Sequence, residues 1–366
     1  MVNFDDLISF IFIQIKSLLI PGSIRANCTR VNSDFKDPAA FDHDQPSSKY
    51  FLTHLSATQL TLLCLGTLAT FSLFGIGIIQ TKYILTYVSE RKKRKLLLIL
   101  AFLFPSSAAL CLTGMFMPRA ATINTSLGLF VFLFAISALI RLCRVLNGGW
   151  ENLADDMEQR GHRISLMNPP FCCVLWCLPT LPPTSENLRF FELAVSQAPA
   201  VRALVLVTEI VAIAEYREYS AFWLQLCDTV SLASLLALVF GFHALSRASG
   251  PTLSKFSYST LFRLVDFGLL FFSAQEPLIF ENIFVRFGAI GCTATLNPHD
   301  QARFICNFVI ILQLLLLSIS ACMYLRPSRS ALFDNHPRGY LSCASTVVIT
   351  EGDVSSDSSQ SALIIP

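Results

Sequence analysis

An all-α, polytopic bundle of seven membrane-spanning helices, N-terminus outside and C-terminus cytoplasmic, is the architecture this 366-residue sequence predicts. Three observations carry that reading. The chain is 53% hydrophobic and only 14% charged, with a mean hydropathy of +0.57, far from the balance of a soluble domain. Seven apolar runs are each long enough to cross a hydrocarbon core about 30 Å thick, which takes roughly 20 helical residues. Basic residues concentrate on one side of those runs, as the positive-inside rule requires. The net charge of +2 says little by itself, and twelve cysteines are too scattered to form a secreted disulfide framework.

The runs fall at about 57–80, 96–117, 123–146, 193–214, 220–245, 258–280 and 303–325. They are helices rather than strands, because an uninterrupted apolar segment in lipid must satisfy its own backbone hydrogen bonds. The link after the first run holds Lys82 and the run Arg91, Lys92, Lys93, Arg94 and Lys95, whereas the opposite-side links offer only Arg119, Arg217 and Arg286. The basic link is therefore cytoplasmic. Three segments follow from this: an extracellular arm over 1–55, a transmembrane domain over 56–325 with a cytoplasmic Cys-containing loop at 147–188, and a cytoplasmic tail over 326–366. The Ser- and Asp-rich end of that tail cannot bury a core, so the tail is expected to be mostly disordered.

Residues 7–20 are apolar yet interrupted by Lys16. A cleaved signal peptide, an eighth span and an amphipathic helix lying in the outer interface all compete for this stretch. The interfacial helix is preferred, because the segment is short, starts from Asp5 and Asp6, and runs into Pro21-Gly22. Asn27 opens an Asn-Cys-Thr glycosylation sequon on the outer side; Asn124, in Asn-Thr-Ser, lies too near the membrane to be modified.

Several short patterns at matching positions along the spans point to one family. The second span ends in Met117-Pro118-Arg119, and Gly148-Gly149 follows the third. An acidic stretch then leads to Pro169-Pro170-Phe171-Cys172-Cys173 and Cys177. The fourth span holds Gln197 and Arg202. The sixth opens with Leu261-Phe262 and closes with Gln275-Glu276-Pro277-Leu278-Ile279-Phe280, and the seventh ends Cys322-Met323-Tyr324-Leu325-Arg326. Over residues 50–330 this resembles the alpha subunit of the heteromeric organic solute transporters. The resemblance implies a seven-span subunit that needs a small single-span beta subunit. It also implies facilitated diffusion of steroid-derived organic anions, such as bile acids and conjugated steroids, across the plasma membrane.

Ionisable residues inside spans are the most informative candidates, since each costs about 3 kcal/mol on insertion scales and usually faces protein or water. Arg202 and Glu209, seven residues apart, fall on nearly one helical face. Asp228 stands at a similar depth in the fifth span and is expected to pair with Arg202. Gln275 and Glu276 precede Pro277, which frees a backbone carbonyl. Arg202 is the candidate cation for an anionic head group, with Phe222, Trp223, Phe267, Phe271 and Phe272 as apolar wall for a steroid body. The rival reading is that Arg202 only locks helix four to helix five through Asp228 while the aromatics face lipid. Arg263 and Asp266 are expected to pair along one helix.

Cys172, Cys173 and Cys177 suit reversible palmitoylation, against unmodified thiols or a zinc site that lacks a clear fourth ligand beyond His162. Cys28 and Cys292 are candidates for an outer disulfide, against two free thiols. The run 91–95 also meets anionic membrane lipids. No cofactor, metal or nucleic-acid partner is implied, and a higher oligomer is possible.

Two rival classes are weaker. A seven-span receptor lacks support, because the third span ends Ile140-Arg141-Leu142 and Asn297-Pro298 falls in an outer loop. A signalling or trafficking scaffold without transport activity remains the alternative. An enzyme would need a converging set of ligands, yet His243 is expected inside and His54 and His299 outside. There is no phosphate-binding Gly-Lys-Ser or Gly-Lys-Thr loop for ATP-driven pumping.

Overall fold

The computed structural model describes residues 41–42, 45–166, 180–215, 220–291, 293, 295–328 and 330–335. The stretch at 7–20 lies outside them. A short antiparallel pair, β1 (Phe41–Asp42) with β2 (Gln45–Pro46), precedes helix α1 (Ser48–Thr53). Phe51 of α1 is fully buried and meets Phe304 edge-on at 5.9 Å, so this end of the arm is anchored on the bundle.

Helix α2 (Ala57–Tyr87) starts with a capping box: Ser56 and Gln59 exchange side-chain and backbone hydrogen bonds, satisfying two donors that a helix start leaves open. It is apolar on all sides, and Leu60, Leu65, Leu68, Phe71, Ile78 and Ile79 are exposed, as suits a helix with one face to lipid. Its 31 residues span about 46 Å, well beyond a bilayer core of about 30 Å. Helix α3 (Arg91–Phe116) begins at the basic run, where Lys93 pairs with Glu90 at 3.1 Å. A turn of 3-10 helix at Pro118–Ala120 leads to α4 (Ala121–Leu146).

The loop expected at 147–188 contains regular structure. Helix α5 (Trp150–Gln159) buries Trp150, Leu153, Ala154 and Met157 along one face, at the i, i+3, i+4, i+7 spacing of an amphipathic helix. Strands β3 (Ile164–Ser165) and β4 (Thr180–Leu181) then pair antiparallel. Helices α6 (Ser185–Glu215), α7 (Ser220–Ser249) and α8 (Tyr258–Gln275) follow. From Glu276 to Val285 the chain continues as π-helix. Helix α9 (Pro298–Tyr324) is capped by Asn297, which accepts from the Asp300 amide at 2.8 Å, with Pro298 at its first position.

Six of these helices are long and apolar enough to cross a membrane: α2, α3, α4 with its preceding turn, α6, α7 and α9. The molecule is therefore a mostly helical, polytopic membrane protein. The run expected at 258–280 falls on α8 and the π-helical turns. Its α-helical part has 18 residues, about 27 Å at about 1.5 Å each, and includes Arg263 and Asp266. Asp266 does not pair with Arg263 as expected; its carboxylate lies 3.4 Å from His243 Nε2 on α7. An interhelical partner displaces the local one because α7 presents a ring nitrogen to that face.

Helix α4 packs against α3, α6 and α8, while α9 packs against α2, α3 and α8. Two helix groups thus share α3 and α8 as their seam. At the α4–α8 contact the two glycines are reciprocal: Gly128 receives the Phe272 ring and Gly268 the Phe132 ring. A Cβ on Gly268 would stand 2.9 Å from Phe132 Cε1, and one on Gly128 would meet Phe272 more closely still. The two rings lie 5.2 Å apart, both buried. Small residues let membrane helices approach where lipid offers no hydrophobic drive to pack them.

The segment after α9 docks rather than leaving the bundle at 326. Leu332 and Phe333 are buried. Ser330 Oγ donates to the Phe256 carbonyl at 2.9 Å, and Ser89 Oγ donates to Asp334 at 2.7 Å. Two adjacent apolar side chains pin the first residues of the tail, ahead of the Ser- and Asp-rich end on which the expectation of disorder rests. Residues 336–366 lie outside the described residues.

Overpacking the glycine seam should cost about 1–3 kcal/mol. Gly128→Val is expected to lower the melting temperature of the detergent-solubilised protein, followed by fluorescence-detected size exclusion. Adding Phe272→Leu should restore part of the loss, whereas an unchanged melt for the single variant would show that the seam is not tight.

Candidate functional site

Thr122 and Ser126 stand four residues apart on α4, so they lie one turn apart on the same face. Each hydroxyl receives a guanidinium from another helix. Arg202, on α6, donates from Nη2 to Ser126 Oγ at 2.5 Å and from Nε to the Ser126 carbonyl at 3.4 Å. Its Nη1 donates to Ser231 Oγ on α7 at 2.7 Å. Glu209 stands two turns along α6, with Oε1 3.6 Å from Arg202 Nη1, and accepts a hydrogen bond from Ser126 Oγ. Arg202 is 8% exposed and Glu209 5%. The hydroxyl of Ser126 therefore stands between the cation and its carboxylate, accepting from one and donating to the other.

At the end of the bundle where α4 starts, Arg303 of α9 repeats the pattern. Its Nε donates to Glu276 Oε1 at 2.6 Å, and its Nη1 donates to Thr122 Oγ1 at 3.1 Å, with Asp300 Oδ1 at 3.9 Å. His299 Nδ1 lies 3.9 Å from Glu281 on the π-helical turns. Beside them Gln59 donates to Gln301 Oε1 at 2.9 Å, tying the start of α2 to α9. The cavity next to Arg303, lined by Gly114, Pro118 and Phe304 among others, is only about 10 Å³. That is room for one water at most, whereas an organic ligand needs roughly 300 Å³.

The structure brings together only part of the expected set. Arg202 pairs with Glu209 rather than with Asp228, because both lie on one face of α6 and Ser126 bridges them. Asp228 is exposed on α7, one turn before Ser231. Glu276 is engaged by Arg303. Gln275 is 8% exposed, and its Oε1 has no protein hydrogen-bond partner among the described residues. Phe271 is half-buried and stacks on exposed Phe267 at 6.4 Å. Phe272 belongs to the α4–α8 seam instead of a wall, and Trp223 is exposed. Asn124 lies within α4, its amide nitrogen buried.

The Phe222 side chain, the glycosylation candidate Asn27, the palmitoylation candidates Cys172, Cys173 and Cys177, and the disulfide candidates Cys28 and Cys292 lie outside the described residues.

Sequence reasoning missed Arg303, Thr122, Ser126 and Ser231. Arg303 reads as an interfacial residue, since it opens the last apolar run, where long cations commonly reach for water. Its one signal is Asp300 a turn earlier. Isolated hydroxyls in apolar helices usually bond their own backbone, as Thr67, Thr70 and Ser137 do here, so nothing marks the two on α4 as different.

Removing the cation of a fully buried pair costs about 3–5 kcal/mol, because the partner charge is left uncompensated, and this part-buried pair, at 18% and 13% side-chain exposure, should cost toward the low end. Arg303→Met should therefore markedly lower the melting temperature in detergent, and adding Glu276→Gln should recover part of it. A wild-type melt for Arg303→Met would remove this pair from the account of stability.

The profile of the family described as organic solute transporter Ostalpha matches residues 62–329. Three relatives come from Caenorhabditis elegans. Organic solute transporter alpha-like protein 3 is 39% identical over 292 residues, covering 80% of this chain and 84% of its own. Alpha-like protein 2 is 31% identical over 85% of this chain and 92% of its own, and alpha-like protein 1 is 26% identical over 80% and 76%. No solved structure matches the chain.

Proposed function

The chain belongs to the organic solute transporter Ostalpha family, and from that premise we propose that it is the alpha subunit of a heteromeric carrier. It moves steroid-derived organic anions, bile acids and conjugated steroids among them, by facilitated diffusion across the plasma membrane. In this reading it crosses the bilayer seven times, with α8 and its π-helical extension as the sixth crossing. The N-terminus is outside and the loop between α2 and α3 inside. A small single-span beta subunit completes it, Asn27 carries glycan, and Cys172, Cys173 and Cys177 carry acyl chains.

The observation that carries the reading is how Arg202 is held inside the bundle. Its hydrogen bonds go to the neutral groups of Ser126 and Ser231, while Glu209 stays at 3.6 Å, beyond direct hydrogen-bond contact. A carboxylate or sulfonate arriving at the guanidinium replaces neutral acceptors with an anionic one that can pair with the planar fork through two parallel bonds. Asp228 and Phe271 lie on the helices flanking this position and meet the rest of the solute. The cavity beside Arg303 is far too small for a steroid, and in this reading the helices around α4 separate as the solute passes.

Losing charge-assisted hydrogen bonds worth about 1.5–3 kcal/mol amounts to about ten- to hundredfold in affinity. Uptake of a labelled sulfated steroid should fall by that order in Arg202→Ala at wild-type surface expression, and unchanged uptake would end the substrate role of Arg202. In cells expressing the chain alone, flux of taurine-conjugated bile acid should stay at background and appear when a single-span partner is co-expressed. Absence of flux with every such partner would favour the signalling or trafficking scaffold.

A further inference from the structure

Pro327 stands two residues past the cap of α9 at Leu325, where it cannot continue the helix, and the chain that follows turns under the end of the bundle away from Arg303. Over residues 330–335 it meets two separate connections. At its start, Ser330 Oγ donates to the Phe256 carbonyl at 2.9 Å and the Ala331 amide to the Lys255 carbonyl at 3.2 Å, both in the link between α7 and α8. At its end, the Asn335 amide donates to the Tyr87 carbonyl at 3.1 Å and Asp334 accepts from Ser89 Oγ at 2.7 Å, both in the α2–α3 hairpin. Between these two ends, Leu332 and Phe333 join the same buried apolar cluster as the helices.

The two connections belong to different parts of the bundle, since α2 packs chiefly against α3 and α9, and α7 chiefly against α6. One of them is strained. Ser257, which joins the 3-10 turn at Ser254–Phe256 to α8, takes φ +54°, and among the described residues no other non-glycine has a positive φ. A side chain resists that conformation, which persists only where its surroundings enforce it. The two carbonyls held by Ser330 and Ala331 are those of the residues just before Ser257. The strap is also gripped unevenly. Ser330, Leu332 and Phe333 are buried, whereas Ser89 and Asp334 are exposed, so water competes for their hydrogen bond and the strap opens first at that end.

We infer that residues 330–335 form a releasable latch between the α2–α3 hairpin and the α7–α8 link. Its release, beginning at Asp334, lets the strained link relax and the two parts of the bundle move apart at this end. The bearing of the latch on solute passage rests on the transport reading above; the latch itself does not.

The test uses the full chain in nanodiscs. Hydrogen exchange of the amides of Ala331, Phe333 and Asn335 reads the latch, and pulsed electron resonance between non-cysteine spin labels at exposed Lys92 and Ser254 reads the spacing of the two connections. Phe333→Ser should speed that exchange about ten- to hundredfold, the worth of burying one aromatic side chain, and shift the spacing to longer values. Ser89→Ala, an exposed change that stands in if the first variant fails to fold, should speed exchange at Asn335 about two- to tenfold, the worth of one hydrogen bond. Ser89→Cys/Asp334→Cys, oxidised to a disulfide with copper phenanthroline, should hold the spacing short. In membrane vesicles that also contain the single-span partner, the same oxidation should lower uptake until a reductant is added, and neither single-cysteine variant should respond. Wild-type exchange in both Phe333→Ser and Ser89→Ala, or faster exchange at unchanged spacing, would overturn the latch. Uptake unchanged by oxidation, in vesicles whose wild-type protein transports, would overturn its role in passage. A wild-type chain that carries no solute would end the transport reading and leave the latch to stand or fall by the spacing.

Discussion

Burying a guanidinium among apolar helices is costly unless its donors are met from several sides, and here two are met from a single face of α4. Ser126 and Thr122 receive Arg202 and Arg303 one turn apart. Those contacts, with Glu209 and Glu276 alongside, dictate which helices must surround α4. Helix α6 must bring Arg202 to it, α7 must supply Ser231, and α9 must deliver Arg303 while the end of α8 supplies Glu276. The glycine seam serves the same arrangement, because α8 presents Glu276 near Thr122 only if its axis comes close to α4.

The charges around this face limit what the site can do. Arg202 and Arg303 are accompanied by Glu209, Glu276 and Asp300 in direct ion pairs, with Glu281 and Asp228 on the adjoining elements. Carboxylates outnumber guanidiniums, so this is not an open positive trap that draws in anions over distance. In the proposed role, an incoming anion would take the place of the hydroxyls, and exchangeable holding of that kind would suit downhill movement, in which tight binding slows release.

The opposite end is built by different means. Helix α5 lays an apolar stripe against the bundle, and its terminal glycine turns the chain toward α7. Leu332 and Phe333 draw the segment after α9 under the start of α8 and the α2–α3 hairpin. Both devices bury apolar side chains just outside the helices that are long and apolar enough to cross a membrane.

Six crossing helices lie where the apolar runs place them, since a segment that must satisfy its own backbone in lipid has one regular solution. The family was also legible, because short motifs such as Met117-Pro118-Arg119 and Gln275-Glu276-Pro277 keep their order along the chain. That Arg202 and Glu209 share one helical face was legible for the same periodic reason, although the partner expected for Arg202 was Asp228. The partners across helices were not. Ser126 for Arg202, Arg303 for Glu276 and His243 for Asp266 are contacts between residues 23 to 76 positions apart in the chain. Helical periodicity gives each side chain a direction on its own axis but says nothing of the rotation of one axis against another. Only packing settles that rotation, through the glycine seam and the hydroxyls of α4, and with it the choice of Glu209 over Asp228.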